Sequence, residues 1–235
     1  MDRQIAITLD MDWVPDEVIE DSLELLAKHS IRATLFMTNS TTLDLDGHEL
    51  AIHPNFSTTD IERHIEERLN DFPEAKGTRS HSLFFTEHLR ALYARYGIEY
   101  QSNVMMYLQK RINPLWMSRT TLEIPLYWMD SFYIEMEGTP DFSIRELKLN
   151  EEGLKVFCFH PIHIFLNTQS QKCYTTAKEH YNDAETLLTM RNTKVRGIRD
   201  IFLELLSYIE SNDIQTKGLL EIKDDFTDGS EYKGI

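Results

Sequence analysis

Two cysteines, Cys158 and Cys173, are the only ones in the 235 residues, so the chain cannot be built on a disulfide framework. No apolar run approaches the roughly 18 residues needed to cross a bilayer. The first ten residues, MDRQIAITLD, lack the basic segment and long apolar stretch of a secretory signal. These absences fit a protein of the reduced cytoplasm with no membrane span. Basic residues are also scarce: 24 Lys and Arg stand against 39 Asp and Glu, a formal charge of −15. Such a surface repels phosphate backbones, which argues against general nucleic-acid binding. The sequence holds no P-loop, no GxGxxG, no GxSxG and no CxxC, so nucleotide, serine-hydrolase and dithiol chemistries lose their usual signatures.

What is present is a well-stocked apolar complement, 41% of residues, enough for one large core. The run QIAITL (4–9) predicts a buried strand. A helix from Asp16 follows Pro15, and RATLFMT (32–38) predicts a second strand, a βαβ unit with parallel strands. Further strands are expected at 48–53, 77–81, 98–104, 122–130 and 154–164. Helices are expected at 58–72, capped by Thr58 or Thr59, at 82–97, at 174–192 and at 195–211. No linker divides the chain. The reading is one α/β domain over 1–212, a closed or nearly closed (β/α) barrel, with 213–235 as a partly mobile tail.

Histidines and acids collect where these strands end. Asp10 and Asp12 follow the first strand, His53 ends the third, Arg79 and His81 the next, Asp130 a later one, and His160 and His163 follow FCF. In parallel α/β sheets, the strand C-termini share the face that carries the active site. Asp10 and Asp12, at i and i+2 on extended backbone, are expected to point the same way, and a divalent cation would relieve their repulsion. Asp12 has the alternative of capping the following helix. A single strand-end histidine is more often structural. Together, however, Asp12, His53 and His81 supply one carboxylate and two imidazoles, a set suited to a catalytic zinc-like ion that acidifies water. They lie roughly 30 to 40 residues apart, so spacing alone is not diagnostic. His160 is the first choice for a general acid, with His163 beside it as a substrate contact. Asp130 would orient a histidine or end a strand at the surface. Arg79 would hold Asp10 ionised or form an ordinary rim ion pair. Trp13, with Trp116, Tyr127, Trp128 and Phe132, could line a sugar-stacking cleft or belong to the core.

TLDMDW (8–13), ELAIHPN (49–55), TRSH (78–81), WMD (128–130) and FCFHP (157–161) resemble, in order, the motifs of the polysaccharide deacetylase or NodB-homology superfamily, carbohydrate esterase family four. HPNF and SH look closest to its WbmS-like branch, linked with surface-polysaccharide gene clusters. The resemblance implies a distorted (β/α) barrel of about seven strands. It also implies a divalent metal, with zinc expected, and removal of N- or O-acetyl groups from a carbohydrate. Carried over, Asp10 is the base, Asp12 and His53 are metal ligands, Arg79 holds the base, Asp130 tunes the catalytic histidine, and His160 is that histidine. Two departures stand out. Met11 separates acids that are adjacent in the usual motif, and Ser57 occupies the position of the second motif's other histidine, for which His81 is the proposed substitute. Two alternatives remain at this stage. One is a carbohydrate-binding or assembly protein without turnover, whose sugar binding would ignore Asp10→Asn. The other is a metal-dependent amidase acting on a small non-sugar substrate.

Overall fold

The computed structural model describes residues 3–56 and 60–229. Among them, nine strands form one curled sheet, a half-barrel with helices around it. The strands are β1 (Gln4–Asp10), β2 (Ala33–Met37), β3 (Glu49–Ile52), β4 (Gly77–Thr78), β5 (Tyr100–Gln101), β6 (Leu115–Trp116), β7 (Leu122–Glu123), β8 (Trp128–Met129) and β9 (Leu154–Phe159). Their order across the sheet is β6-β7-β5-β4-β3-β2-β1-β9-β8, and every pairing is parallel except β6 with β7. The α/β barrel expectation holds, although strands at 115–116 and 128–129 are as short as two residues.

Central parallel strands are covered on both faces and so are predominantly apolar. Alternation then sorts their side chains. Ile5, Ile7 and Leu9 of β1 join the large outer core, together with Leu35 and Met37 of β2 and Phe157 and Phe159 of β9. The helices α1 (Asp16–Lys28), α5 (Pro161–Leu166) and α8 (Ile198–Ser211) cover that core. The opposite face forms a second, interior core from Ala6, Phe36, Ala51, Tyr100, Leu122, Val156 and Cys158. By the same period of two, the residues beyond Ala6 on the interior face are Thr8 and then Asp10.

Several elements differ from the sequence reading. The helix expected at 58–72 is α2 (Ile61–Asp71); its cap is Asp60, whose carboxylate accepts Arg63 N at 3.2 Å, whereas Thr58 and Thr59 lie outside the described residues. The helix expected at 82–97 is a 3₁₀ turn at His81–Leu83 followed by α3 (Glu87–Arg95). The segment 122–130 is two short strands, and Asp130 opens α4 (Asp130–Met136). The strand expected to 164 stops at Phe159, because Pro161 starts α5; that helix is buried all round and shows no amphipathic period. The helix expected at 174–192 is α6 (Gln171–Ala177) and α7 (Ala184–Thr189), with a 3₁₀ turn between them. Where the sequence reading has only a tail, the structure has α9 (Leu219–Asp228). Its Leu219 and Ile222 are fully buried in the interior core, and the Leu219 amide donates to Thr34 Oγ1 at 2.9 Å. Among the described residues, no helix is long and apolar enough to cross a membrane.

Gly77 marks how closely the interior is packed. A Cβ at this position would fall inside the Tyr100 ring, itself fully buried and hydrogen bonded to Glu49. Gly77→Ala is therefore expected to destabilise the fold by about 1–3 kcal/mol, read as a lowered Tm. An unchanged Tm would show that Tyr100 has room to move.

Candidate active site

The site stands where the interior face meets the strand C-termini. Asp10 ends β1, is buried, and pairs through Oδ1 with Arg79 Nη1 at 2.7 Å. Arg79 is itself fully buried. It donates to Thr8 Oγ1 at 2.8 Å, to the Ser102 carbonyl at 3.0 Å and to Ser102 Oγ at 2.8 Å, and lies 4.1 Å over the Phe36 ring. Burial pushes the Asp10 carboxyl upward, but the Arg79 charge, helped by His53 and His160, outweighs it and leaves the group below its ordinary value.

Asp12 reaches the same cleft by a different route from the one its spacing suggests. It does not continue the strand: its φ is +42° and that of Trp13 is +58°, so the chain turns left-handed after Met11, which points into the outer core. Pro15, not Asp12, occupies the N-cap of α1. The turn is tied down by Tyr181, whose hydroxyl donates to the Asp12 carbonyl at 2.8 Å, and by the Trp13 amide, which donates to Thr38 Oγ1 at 3.0 Å. His53 is placed by its backbone N–H, which donates to the Met37 carbonyl at 2.8 Å, and His81 by its backbone N–H, which donates to the Pro54 carbonyl at 3.0 Å. Asp12 Oδ1 then lies 3.1 Å from both His53 Nε2 and His81 Nδ1.

On the far side of β1, His160 caps α5, and its Nε2 lies 3.6 Å from Asp12 Oδ2. Its Nδ1 contacts Asp130 Oδ1 at 2.6 Å, and its backbone amide donates to Asp130 Oδ2 at 2.8 Å. Asp130 is 0% exposed, which removes the surface reading of that acid. Burial lowers His160, but the adjacent Asp130, with Asp12 and Asp10, more than reverses this and raises it to about 10. Burial lowers His163 to about 4; its Nδ1 faces Thr168 Oγ1 at 3.1 Å and its ring packs on Tyr174.

Asp10, Asp12, His53, His81, His160 and His163 line one cleft of about 420 Å³, together with Phe132, Glu135, Gln171, Tyr174 and Lys178, within the range of small-ligand sites, about 300–1,000 Å³. Arg79 and Asp130 stand behind it. A depression of about 750 Å³ lies on the other side of α6 and contains none of the site residues. Of the aromatics weighed for stacking, Tyr127 and Trp128 are core, Phe132 lines the cleft, and Trp13 is 40% exposed with its ring edge-on to His81. The cleft also draws on Tyr174, Lys178 and Glu135, which lie outside every motif and carried no sequence signal.

The donor set fits a cation. The ligand atoms of Asp12, His53 and His81 all lie within 4.8 Å of one another. Atoms bound to one ion at roughly 2 Å in a tetrahedron sit about 3.3 Å apart. His53 supplies the sharper test. Both of its ring nitrogens are buried and neither has a hydrogen-bond partner among the described residues, so Nε2 faces Asp12 without a bonding angle. A buried imidazole left this way carries a desolvation cost that a ligand would relieve.

A family model described as WbmS-like polysaccharide deacetylase matches residues 7–178. The chain belongs to that family. A similar solved structure is a protein from Bordetella bronchiseptica, described as a polysaccharide deacetylase involved in O-antigen biosynthesis. It has 25% identity and a TM-score of 0.78, over 88% of this chain and 90% of that one. Two Bacillus anthracis structures share the fold. A family 4 carbohydrate esterase has 15% identity and a TM-score of 0.50, over 95% of this chain and 83% of that one. A family 4 pseudoenzyme has 11% identity and a TM-score of 0.53, over 95% and 66%. No curated protein matched the sequence. Membership of the WbmS-like polysaccharide deacetylases accounts for the fold, and a fold shared with a pseudoenzyme leaves turnover to be argued from the site itself.

Proposed function

We propose that the protein is a metal-dependent carbohydrate deacetylase, removing an N-acetyl or O-acetyl group from a sugar of a surface polysaccharide or its precursor. One observation carries the reading. Two groups with opposite proton habits, Asp10 held anionic by Arg79 and His160 held cationic by Asp130, flank the Asp12–His53–His81 cluster in a single cleft. Such a pair supplies a base and an acid to one reaction.

Asp12, His53 and His81 would hold the ion, zinc being the ion best suited to one carboxylate and two imidazoles. When bound, it would polarise the acyl oxygen and make a nearby water more acidic. The chain's own residues do the rest. Asp10 accepts the proton of the attacking water as the oxygen bonds to the acyl carbon. Arg79 keeps Asp10 ionised and fixes its direction. His160, its Nδ1 held by Asp130, gives the Nε2 proton to the departing amine nitrogen or alcohol oxygen as its bond to the acyl carbon breaks. One water is consumed, and acetate and a free amino or hydroxyl sugar remain. His163 and Trp13 are assigned to the substrate, His163 as a neutral wall beside the acid and Trp13 as an exposed ring at the rim.

Acetate release from acetylated amino-sugar oligomers tests the proposal. Chelation is expected to suppress release to background, and added zinc to restore it. Release unaffected by exhaustive chelation would remove the metal. Ser57, standing where the second motif has a histidine, favours the rival reading of a binding protein without turnover. That protein would bind the oligomers and release no acetate under any metal.

A further inference from the structure

Glu123, on β7, is a buried carboxylate that the mechanism above does not use. Its neighbours on either side, Leu122 and Ile124, belong to the interior core, so by strand alternation Glu123 faces the opposite side of the sheet from the cleft. There it gathers one short segment. Oε1 accepts the backbone amides of Asn103 at 2.8 Å and Val104 at 2.9 Å, and Oε2 accepts the Gln101 side-chain amide at 2.7 Å. The segment 101–104 in turn grips 79–81 at two points. Ser102 takes two of the Arg79 donors, and the Asn103 carboxamide oxygen accepts the Ser80 amide at 2.9 Å and the Ser80 hydroxyl at 3.0 Å. Ser80 lies between the residue that fixes Asp10 and the proposed ligand His81.

We propose that Glu123 is a positioning residue that sets the register of 101–104 against 79–81, and through it the placement of both Arg79 and His81. The inference rests on the function proposed above for those two residues. Glu123 touches neither substrate nor ligand and acts across the thickness of the sheet. Holding a carboxylate here is costly, and burial pushes it up to about 7 despite its three donors. A side chain needed only to fill space would be apolar.

The test compares Glu123→Ala, Glu123→Gln and Asn103→Ala. Gln101 Oε1 is buried and unbonded, so Gln101 can flip its amide to meet a glutamine at 123, and Glu123→Gln keeps all the bonds. Asn103→Ala leaves Glu123 and its backbone donors intact and cuts the link to Ser80, which keeps the question open to test if Glu123→Ala does not fold. Three readouts apply: zinc titrated into metal-stripped protein, kcat and KM for acetate release, and hydrogen exchange of the 78–84 segment. Expected are about tenfold weaker zinc binding in both alanine variants, a fall in kcat with KM nearly unchanged, faster exchange at 78–84, and values within about twofold of the unaltered protein for Glu123→Gln. Unaltered zinc affinity and exchange in both alanine variants would overturn the proposal, as would a glutamine variant as impaired as the alanine one. If the unaltered protein releases no acetate, the deacetylase reading fails while zinc affinity still decides the role of Glu123; if it binds no zinc, the exchange at 78–84 decides it.

Discussion

Replacing Asp12 by alanine is expected to lower acetate release by about 10³-fold or more and to take zinc content from near stoichiometric to background. Asp12 Oδ1 faces both His53 Nε2 and His81 Nδ1, so its loss removes the anionic partner between the two imidazoles. The contacts with His53 and His81 hold the carboxyl well below its ordinary value against the upward push of burial, so it is an anion at any working pH. The loop itself should survive, because Tyr181 holds the Asp12 main-chain carbonyl and the Trp13 amide remains bonded to Thr38. Loss of activity without loss of fold is therefore the expected signature, checked by metal analysis beside circular dichroism. Stoichiometric zinc in Asp12→Ala would remove the assigned ligand set.

His160→Ala is expected to cost about 10²–10⁴-fold in kcat while zinc stays bound, the range for removing a positioned general acid. A substrate whose leaving group needs no proton, such as an activated aryl ester, should lose much less. The pH profile separates His160 from its partner. In the proposed mechanism the imidazolium is the working form, and Asp130, at 2.6 Å from Nδ1, is the leading influence raising it against burial. Activity should fall as pH rises through the folded-state value, and Asp130→Asn removes the anion, so the alkaline limb of kcat/KM should move to lower pH by about one unit or more. The same pairing has a stability side. A histidine raised from 6.5 to about 10 contributes fully below pH 6.5, and that contribution is lost as pH rises through about 10. An alkaline limb that does not move in Asp130→Asn would assign the acid to another group.

Strand ends were the legible part of this sequence. Runs such as QIAITL and LKVFCF are mostly apolar because both faces are covered, and the polar residue that follows each run lies at the strand's C-terminal end; this is why Asp10, His53 and His160 are legible in the sequence. That Asp12 points into the same cleft as Asp10 was expected from their i, i+2 spacing, but for an incorrect reason. The i, i+2 reading assumed extended backbone, whereas a left-handed turn delivers Asp12. What could not be read depends on tertiary partners. Two-residue strands such as β5 and β6 are too short to show a period. The apolar segment IHIF reads as strand or helix until the position of Pro161 is set against its fully buried surroundings. Glu123 looks like a surface acid in a strand, because nothing local announces that Asn103 and Val104 will bring it their amides.

The pairing of β1 with β9 bears on how the molecule comes into being. Thr8 Oγ1 donates to the Phe157 carbonyl across 149 residues, and Leu9 faces Phe159. A chain emerging from the ribosome presents Asp12, His53 and His81 long before β9 and the His160 that follows it have been made. Closing so large a loop is entropically expensive and slow. The proposed cation ligands can therefore be in place ahead of the proposed acid, and β1, third from the β8 edge of the finished sheet, spends much of synthesis with one edge unpartnered.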